Sequence, residues 1–132
     1  MENLVCLDTG VLIGLLRKNE QVIAWFNSIP AETQTATTLI TLFELYKGAY
    51  QSKFKEKELQ DIEELKEEIV ILPLNREHMK EAAQEIVFLQ KNGKGIDIRD
   101  LIIGIVARKE GYSLKTYNKK HFENIHGLKL TN

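Results

Sequence analysis

One cysteine, Cys6, stands in 132 residues. No disulfide can form within the chain, and a reducing compartment fits it. The two prolines, Pro30 and Pro73, punctuate the chain without forming a Pro-rich linker, and no internal repeat or low-complexity segment occurs. One domain over residues 1–132 is therefore expected. No apolar run reaches the roughly 20 residues of a membrane-spanning helix. The opening "MENLVCLD" carries no basic leader followed by an apolar region, so no secretion signal is read there and a cytoplasmic location is expected. Glycine-rich phosphate loops are missing, as is the G-x-S-x-G elbow. His78, His121 and His126 lack zinc spacing with one another or with Cys6.

What is present is ordinary globular composition, 43% hydrophobic and 28% charged. The net charge of −1 is unevenly spread. Residues 1–50 carry −2, residues 51–90 carry −4 and residues 91–132 carry +5. A basic C-terminal third can steer a polyanion; clustering on a solvated surface explains it equally well.

Alternation of short apolar runs with helical periodicities dominates the chain. "NLVCL" reads as a buried strand, followed by a helix in "TGVLIGLLRKN" and a second in "EQVIAWFNSI" that Pro30 stops. "TQTAT" (33–37) reads as a strand, then "TLITLFELYKGAY" as a helix capped by Thr38, with Leu39, Leu42, Phe43, Tyr46 and Tyr50 on its apolar face. "KEKELQDIEELKEE" is a charged amphipathic helix with the stripe Leu59, Ile62, Leu65 and Ile69. "IVILPL" (69–74) is a strand ended at Pro73, and a helix runs from its cap Asn75 to Gly93. "IDIRDLIIGIVARKEG" is a largely buried helix, "YSLKT" (112–116) a strand, "NKKHFENI" a short helix or turn, and "LKL" (128–130) a last strand. The pattern predicts an α/β fold, a three-layer α/β/α sandwich with a mainly parallel central sheet. Ligands of such sheets bind beyond the carboxyl ends of the strands.

Four acids gather at that edge in the predicted order. Asp8 directly follows the first strand; taken alone it reads as the N-cap of the next helix. Glu44 sits on the border of its helix's apolar face, in line with Ile40 and Gly48, where a solvated carboxylate is the simpler reading. Gly48 is expected to admit a close backbone approach. Asp97 and Asp100 share a face near a helix N-terminus, where capping and the helix dipole explain each singly. Asp100 is also in line with the small residues Gly104 and Ala107. Carboxylates brought together repel unless protonated or neutralised by a cation. Oxygen ligands suit Mg²⁺ or Mn²⁺, which bind phosphate oxygens and activate water.

In this order the segments resemble the PIN-domain family, and most closely its VapC-type toxins of bacterial and archaeal toxin–antitoxin pairs. "LVCLDTGVLIGLL" is similar to that family's strand, Asp-Thr and apolar helix, and "TTLITLFELYKGAY" to its Glu-Leu helix. "GIDIRDLIIGIVARKEGYSLKTYNKKHFENIHGLKL" resembles its Asp-led buried helix, strand, Thr-x-Asn and Phe before a final Gly-Leu. The resemblance spans essentially the whole chain. It implies a metal-dependent endoribonuclease leaving 5′-phosphate and 3′-hydroxyl ends. Asp8, Glu44 and Asp100 match the metal-site acids, Asp97 is an additional acid, and Asn118 falls where relatives carry a fourth acid or an Asn. Thr9 and Thr116 are expected to add hydroxyl hydrogen bonds. Gly10 departs from the Ser or Asn of many relatives.

Arg99, Lys115, Lys119 and Lys120 are candidate contacts to an RNA backbone, with plain solubilising charge as the alternative. Trp25, Phe26, Tyr46, Tyr50 and Phe54 divide between core and a groove for a partner helix. The resemblance implies a cognate antitoxin and a homodimer. Two other readings compete. One is an RNA- or protein-binding module with weak or no nuclease activity, for which Gly10 and Asn118 leave room. The other is an Asp-nucleophile phosphatase, disfavoured because Gly10 stands where its second Asp is needed.

Overall fold

The computed structural model describes residues 3–132; Met1 and Glu2 of the opening segment lie outside the described residues. The elements run β1 (Leu4–Leu7), α1 (Thr9–Leu16), α2 (Glu20–Ser28), β2 (Gln34–Thr38), α3 (Leu39–Tyr50), α4 (Lys55–Lys66), β3 (Val70–Leu72), α5 (Arg76–Lys91), α6 (Ile98–Lys109), β4 (Ser113–Lys115), a 3₁₀ turn at Lys119–His121, and β5 (Leu130–Thr131). All five strands form one sheet in the order β3-β2-β1-β4-β5, every pairing parallel. β3 stops at Leu72, and Pro73, with no N–H to give a ladder, ends it as expected. The last strand lies at Leu130–Thr131, later than the expected 128–130.

Alternation along β1 divides the core. Cys6 points to one face with Ala36, Leu72 and Leu114, and packs against Ala82 and Leu89 of α5 and Leu101, Ile105 and Val106 of α6. Val5 and Leu7 point to the other, against Val11 and Leu12 of α1, Val22 of α2, Leu42 and Leu45 of α3 and Ile62 of α4. Both faces of the sheet are thus covered, as an all-parallel sheet requires.

α6 lies close under the C-terminal segment because position 104 has no side chain: a Cβ on Gly104 would sit 2.5 Å from Ile125 Cδ1. Among the described residues, buried side-chain polar groups are paired. His78, wholly buried, accepts the Asn75 N–H at Nδ1 (3.0 Å), so its ring proton is on Nε2, 2.8 Å from Glu110 Oε2. Glu85 receives Arg108 Nη1 at 3.1 Å and the His126 N–H at 2.9 Å, tying α5, α6 and the C-terminal segment together.

Two expectations are corrected. The buried face of α3 is Thr41, Leu42, Leu45 and Ala49, whereas Leu39, Phe43 and Tyr50 are exposed. The Thr38 hydroxyl accepts the Thr41 N–H at 3.1 Å and bonds the Thr41 hydroxyl, which turns Thr41 inward and fixes the phase of the helix. Gly48 meets nothing: a Cβ there would find no atom within 4 Å, so no backbone approaches it.

Candidate active site and metal centre

The strand order reverses direction of growth at β1, with β2 on one side and β4 on the other, which opens a crevice at their carboxyl ends. Asp8 lies at the end of β1 and Thr116 at the end of β4. Glu44 enters from the second turn of α3, which begins directly at the end of β2. α6 leads into β4 and therefore runs against the strands. Its N-terminus, with Asp97 and Asp100, returns to the same edge. Asp8, Thr9, Gly10, Glu44, Asp97, Arg99, Asp100, Tyr117, Asn118 and His121 line one cavity of about 450 Å³, floored by Ile103 and Phe122.

Each acid is held differently. Asp8, 6% exposed, caps α1 by accepting the Val11 N–H at 3.0 Å. The simple N-cap reading is therefore correct as local structure, and it aims the carboxylate at the crevice. Burial pushes the Asp8 carboxyl above its usual range, hydrogen bonds from the Thr116 hydroxyl and the Val11 amide oppose this, and the charges of Asp100 and Glu44 add to it. Asp100, half-buried, is also raised by burial; His121 opposes this, and Asp97 and Glu44 add to it. Glu44 accepts the Thr9 hydroxyl at 2.5 Å and lies 3.4 Å from Arg99 Nη1. Asp97 caps α6 and pairs with Arg99, which holds its carboxyl low; it is the most exposed of the four.

Thr116 is buried and its Oγ1 accepts the Asn118 N–H at 2.9 Å. The His121 Nδ1 lies 3.1 Å from Asp100 Oδ2 and 3.2 Å from Asn118 Nδ2. With a proton there it donates to Asp100; without one it accepts from Asn118. His121 and Tyr117 are cavity residues that sequence reasoning missed. The spacing of Asn118 and His121 in "NKKH" becomes informative only once the chain coils into a 3₁₀ turn.

A hard divalent cation fits this donor set. The cavity offers carboxylate oxygens whose burial and mutual repulsion a cation would relieve. Among the described residues, no three acid, His or Cys side chains already converge on one point as ion ligands. Glu44 is drawn to Thr9 and Arg99, and Asp100 to His121.

Of the four candidate RNA-contacting cations, Lys115 is corrected. It is buried, with Nζ 4.7 Å from the ring centres of both Trp25 and Tyr117 and 3.0 Å from the main-chain oxygen of Asn132. Burial and nearby Lys119 hold its pKa low. Lys119 reaches Asn132 Oδ1 at 3.3 Å, and Arg99 is engaged by Asp97 and Glu44.

An acid-lined crevice beyond the strand ends of a parallel α/β sheet agrees with a comparison to known proteins. Residues 5–128 match the family model described as PIN domain, and the chain belongs to that family. It is 32% identical over 136 aligned positions to Ribonuclease VapC1 of Methanocaldococcus jannaschii, covering 98% of this chain and 88% of that protein. The solved structure of VapBC-1 from nontypeable Haemophilus influenzae superposes with a TM-score of 0.86 at 28% identity, covering 98% of this chain and 97% of that one. VapBC-5 from Mycobacterium tuberculosis, a member of the VapBC family of toxin–antitoxin systems, gives a TM-score of 0.70 at 25% identity, covering 96% and 94%. Among the described residues, no helix is long and apolar enough to cross a membrane.

Proposed function

We propose that this chain, as one PIN-like domain over residues 1–132, is a divalent-metal-dependent endoribonuclease and the toxin of a toxin–antitoxin pair. The observation that carries the reading is the convergence of Asp8, Glu44 and Asp100, from three separate elements, on one cavity at the carboxyl edge of the sheet. Family membership and the likeness to Ribonuclease VapC1 support RNA as the substrate.

Asp8 and Asp100 would hold Mg²⁺ or Mn²⁺, with Glu44 as a third ligand or as the acceptor that orients the attacking water. Bound there, the ion supplies Lewis-acid stabilisation of the phosphoryl oxygens and lowers the pKa of a water. The remaining work falls to the chain. Val11 N–H and Thr116 fix the Asp8 carboxylate, Thr9 fixes Glu44, and His121 fixes Asp100. Rigid donors and acceptors of this kind need no reorganisation when the phosphodiester charge develops. Asn118, which lines the cavity, would contact the sugar-phosphate strand, whereas Thr116, expected to do the same, is buried with its hydroxyl committed to Asp8 and to the Asn118 N–H and so serves to hold Asp8. We assign Asp97 to helix capping and to the Arg99 pair. The likeness to VapBC structures supports an antitoxin partner, and the reading carries with it a cytoplasmic location and a homodimer.

Asp8→Asn and Asp100→Asn each lower RNA cleavage by at least about 10³-fold, as loss of a metal ligand does, while far-UV circular dichroism is unchanged. EDTA abolishes cleavage by the unaltered protein, and Mn²⁺ or Mg²⁺ restores it. Full cleavage by both variants, or full cleavage in EDTA, overturns the assignment.

A further inference from the structure

Among the described residues that line the acidic cavity, Arg99 is the one permanent cation. It is half-exposed and anchored from below. Its Nε and Nη2 lie 3.2 Å from Asp97 Oδ1 and Oδ2, and its own backbone N–H donates to Asp97 Oδ1 at 2.8 Å. That bidentate clamp leaves Nη1 to reach across to Glu44 Oε2 at 3.4 Å. The other Glu44 oxygen is taken by the Thr9 hydroxyl. Both oxygens of Glu44 are thereby engaged by the chain itself, and among the described residues Asp8, Glu44 and Asp100 do not converge on one point.

We propose that Arg99 is an internal counter-ion: it competes with the divalent cation for Glu44, and once displaced it offers its guanidinium to an RNA phosphate. This rests on the nuclease reading of the same cavity. The chemistry favours it on two grounds. With Nε and Nη2 held by Asp97, the outer Nη1 can meet either a carboxylate or a phosphate oxygen, so leaving Glu44 for a phosphate exchanges one charge-assisted contact for another. Asp97 keeps the arm at the mouth of the cavity in both states, so the arm need swing only at its tip. Arg99 in this account positions Glu44 in the metal-free protein and, once displaced, binds the RNA strand.

Mn²⁺ binding, followed by the electron paramagnetic resonance signal of the free ion, separates the outcomes without any turnover. Arg99→Gln binds Mn²⁺ about fivefold more tightly than the unaltered protein, the scale of a partly exposed ion pair, while Arg99→Lys, which keeps the charge, stays near the unaltered value. With RNA, Arg99→Gln raises KM more than it lowers kcat. Mn²⁺ affinity unchanged or weakened in Arg99→Gln, with the unaltered protein binding the ion, overturns the role of Arg99 and leaves the nuclease reading standing. No Mn²⁺ binding by either protein overturns both.

Discussion

At the scale of single residues, buried Asp8 and half-buried Asp100 are held against their own preference. Asp8 and Asp100 have folded-state pKa values raised above the ordinary 3.8, so from that pH upward the folded chain binds more protons than the unfolded one. Their contribution is then lost as pH rises through the window between 3.8 and the raised values, and both groups destabilise the metal-free fold at neutral pH. Asn at position 8 still caps α1 and still accepts from Thr116, without the charge. Asp8→Asn accordingly raises Tm at pH 7 by about 2–4 °C, and the gain vanishes below pH 3.8, where both acid forms are neutral. A thermal melt across pH checks it; a lower Tm at pH 7 contradicts it. These acids were legible in the sequence because each follows a strand end or opens a helix. His121 was not, since its contact with Asp100 is made by the fold of a turn rather than by any periodicity.

At the scale of elements, helix positions were legible and their rotation was not always so. α3 carries two apolar stripes, Leu42–Leu45–Ala49 and Leu39–Phe43–Tyr50, and periodicity alone cannot choose between them. The expected face spanned both, taking Leu42 together with Leu39, Phe43 and Tyr50; in the fold the first stripe is buried, with the Thr38–Thr41 bond and the Thr9 hydroxyl 3.2 Å from Thr41 on its side. The exposed Phe43, Tyr50 and Phe54 are consequently left on the surface, and of the expected aromatic set Tyr46 packs on the core beside Trp25 and Phe26. Gly48, on the same helix, has open space around it. Its glycine therefore weakens α3 with no packing return, and Gly48→Ala stabilises the protein by about 0.5–1 kcal/mol. Urea unfolding measures this through a higher midpoint at unchanged slope.

At the scale of the molecule, part of the charge asymmetry is structural. Several cations of the basic third are engaged within the fold. Arg108 and Lys109 are spent on Glu81 and Glu85 in the seam between α5 and α6. Lys115 is interior, and Lys119 is bonded to Asn132. Pair formation across elements is invisible to a count along the chain, whereas the alternation of strands and helices is local and made the layers legible. The closing of β4 over Trp25 has an optical corollary. Trp25 is the only tryptophan, its indole N–H donates to the Asn132 oxygen at 3.0 Å, and its ring faces the Lys115 ammonium. The same ammonium lies over Tyr117, at the lip of the acidic cavity. The chain thus contains its own fluorophore, wired to the cavity mouth by one cation. RNA added to the Asp8→Asn protein shifts tryptophan emission, and Tyr117→Ala in that background removes the shift while leaving the emission of the free protein in place.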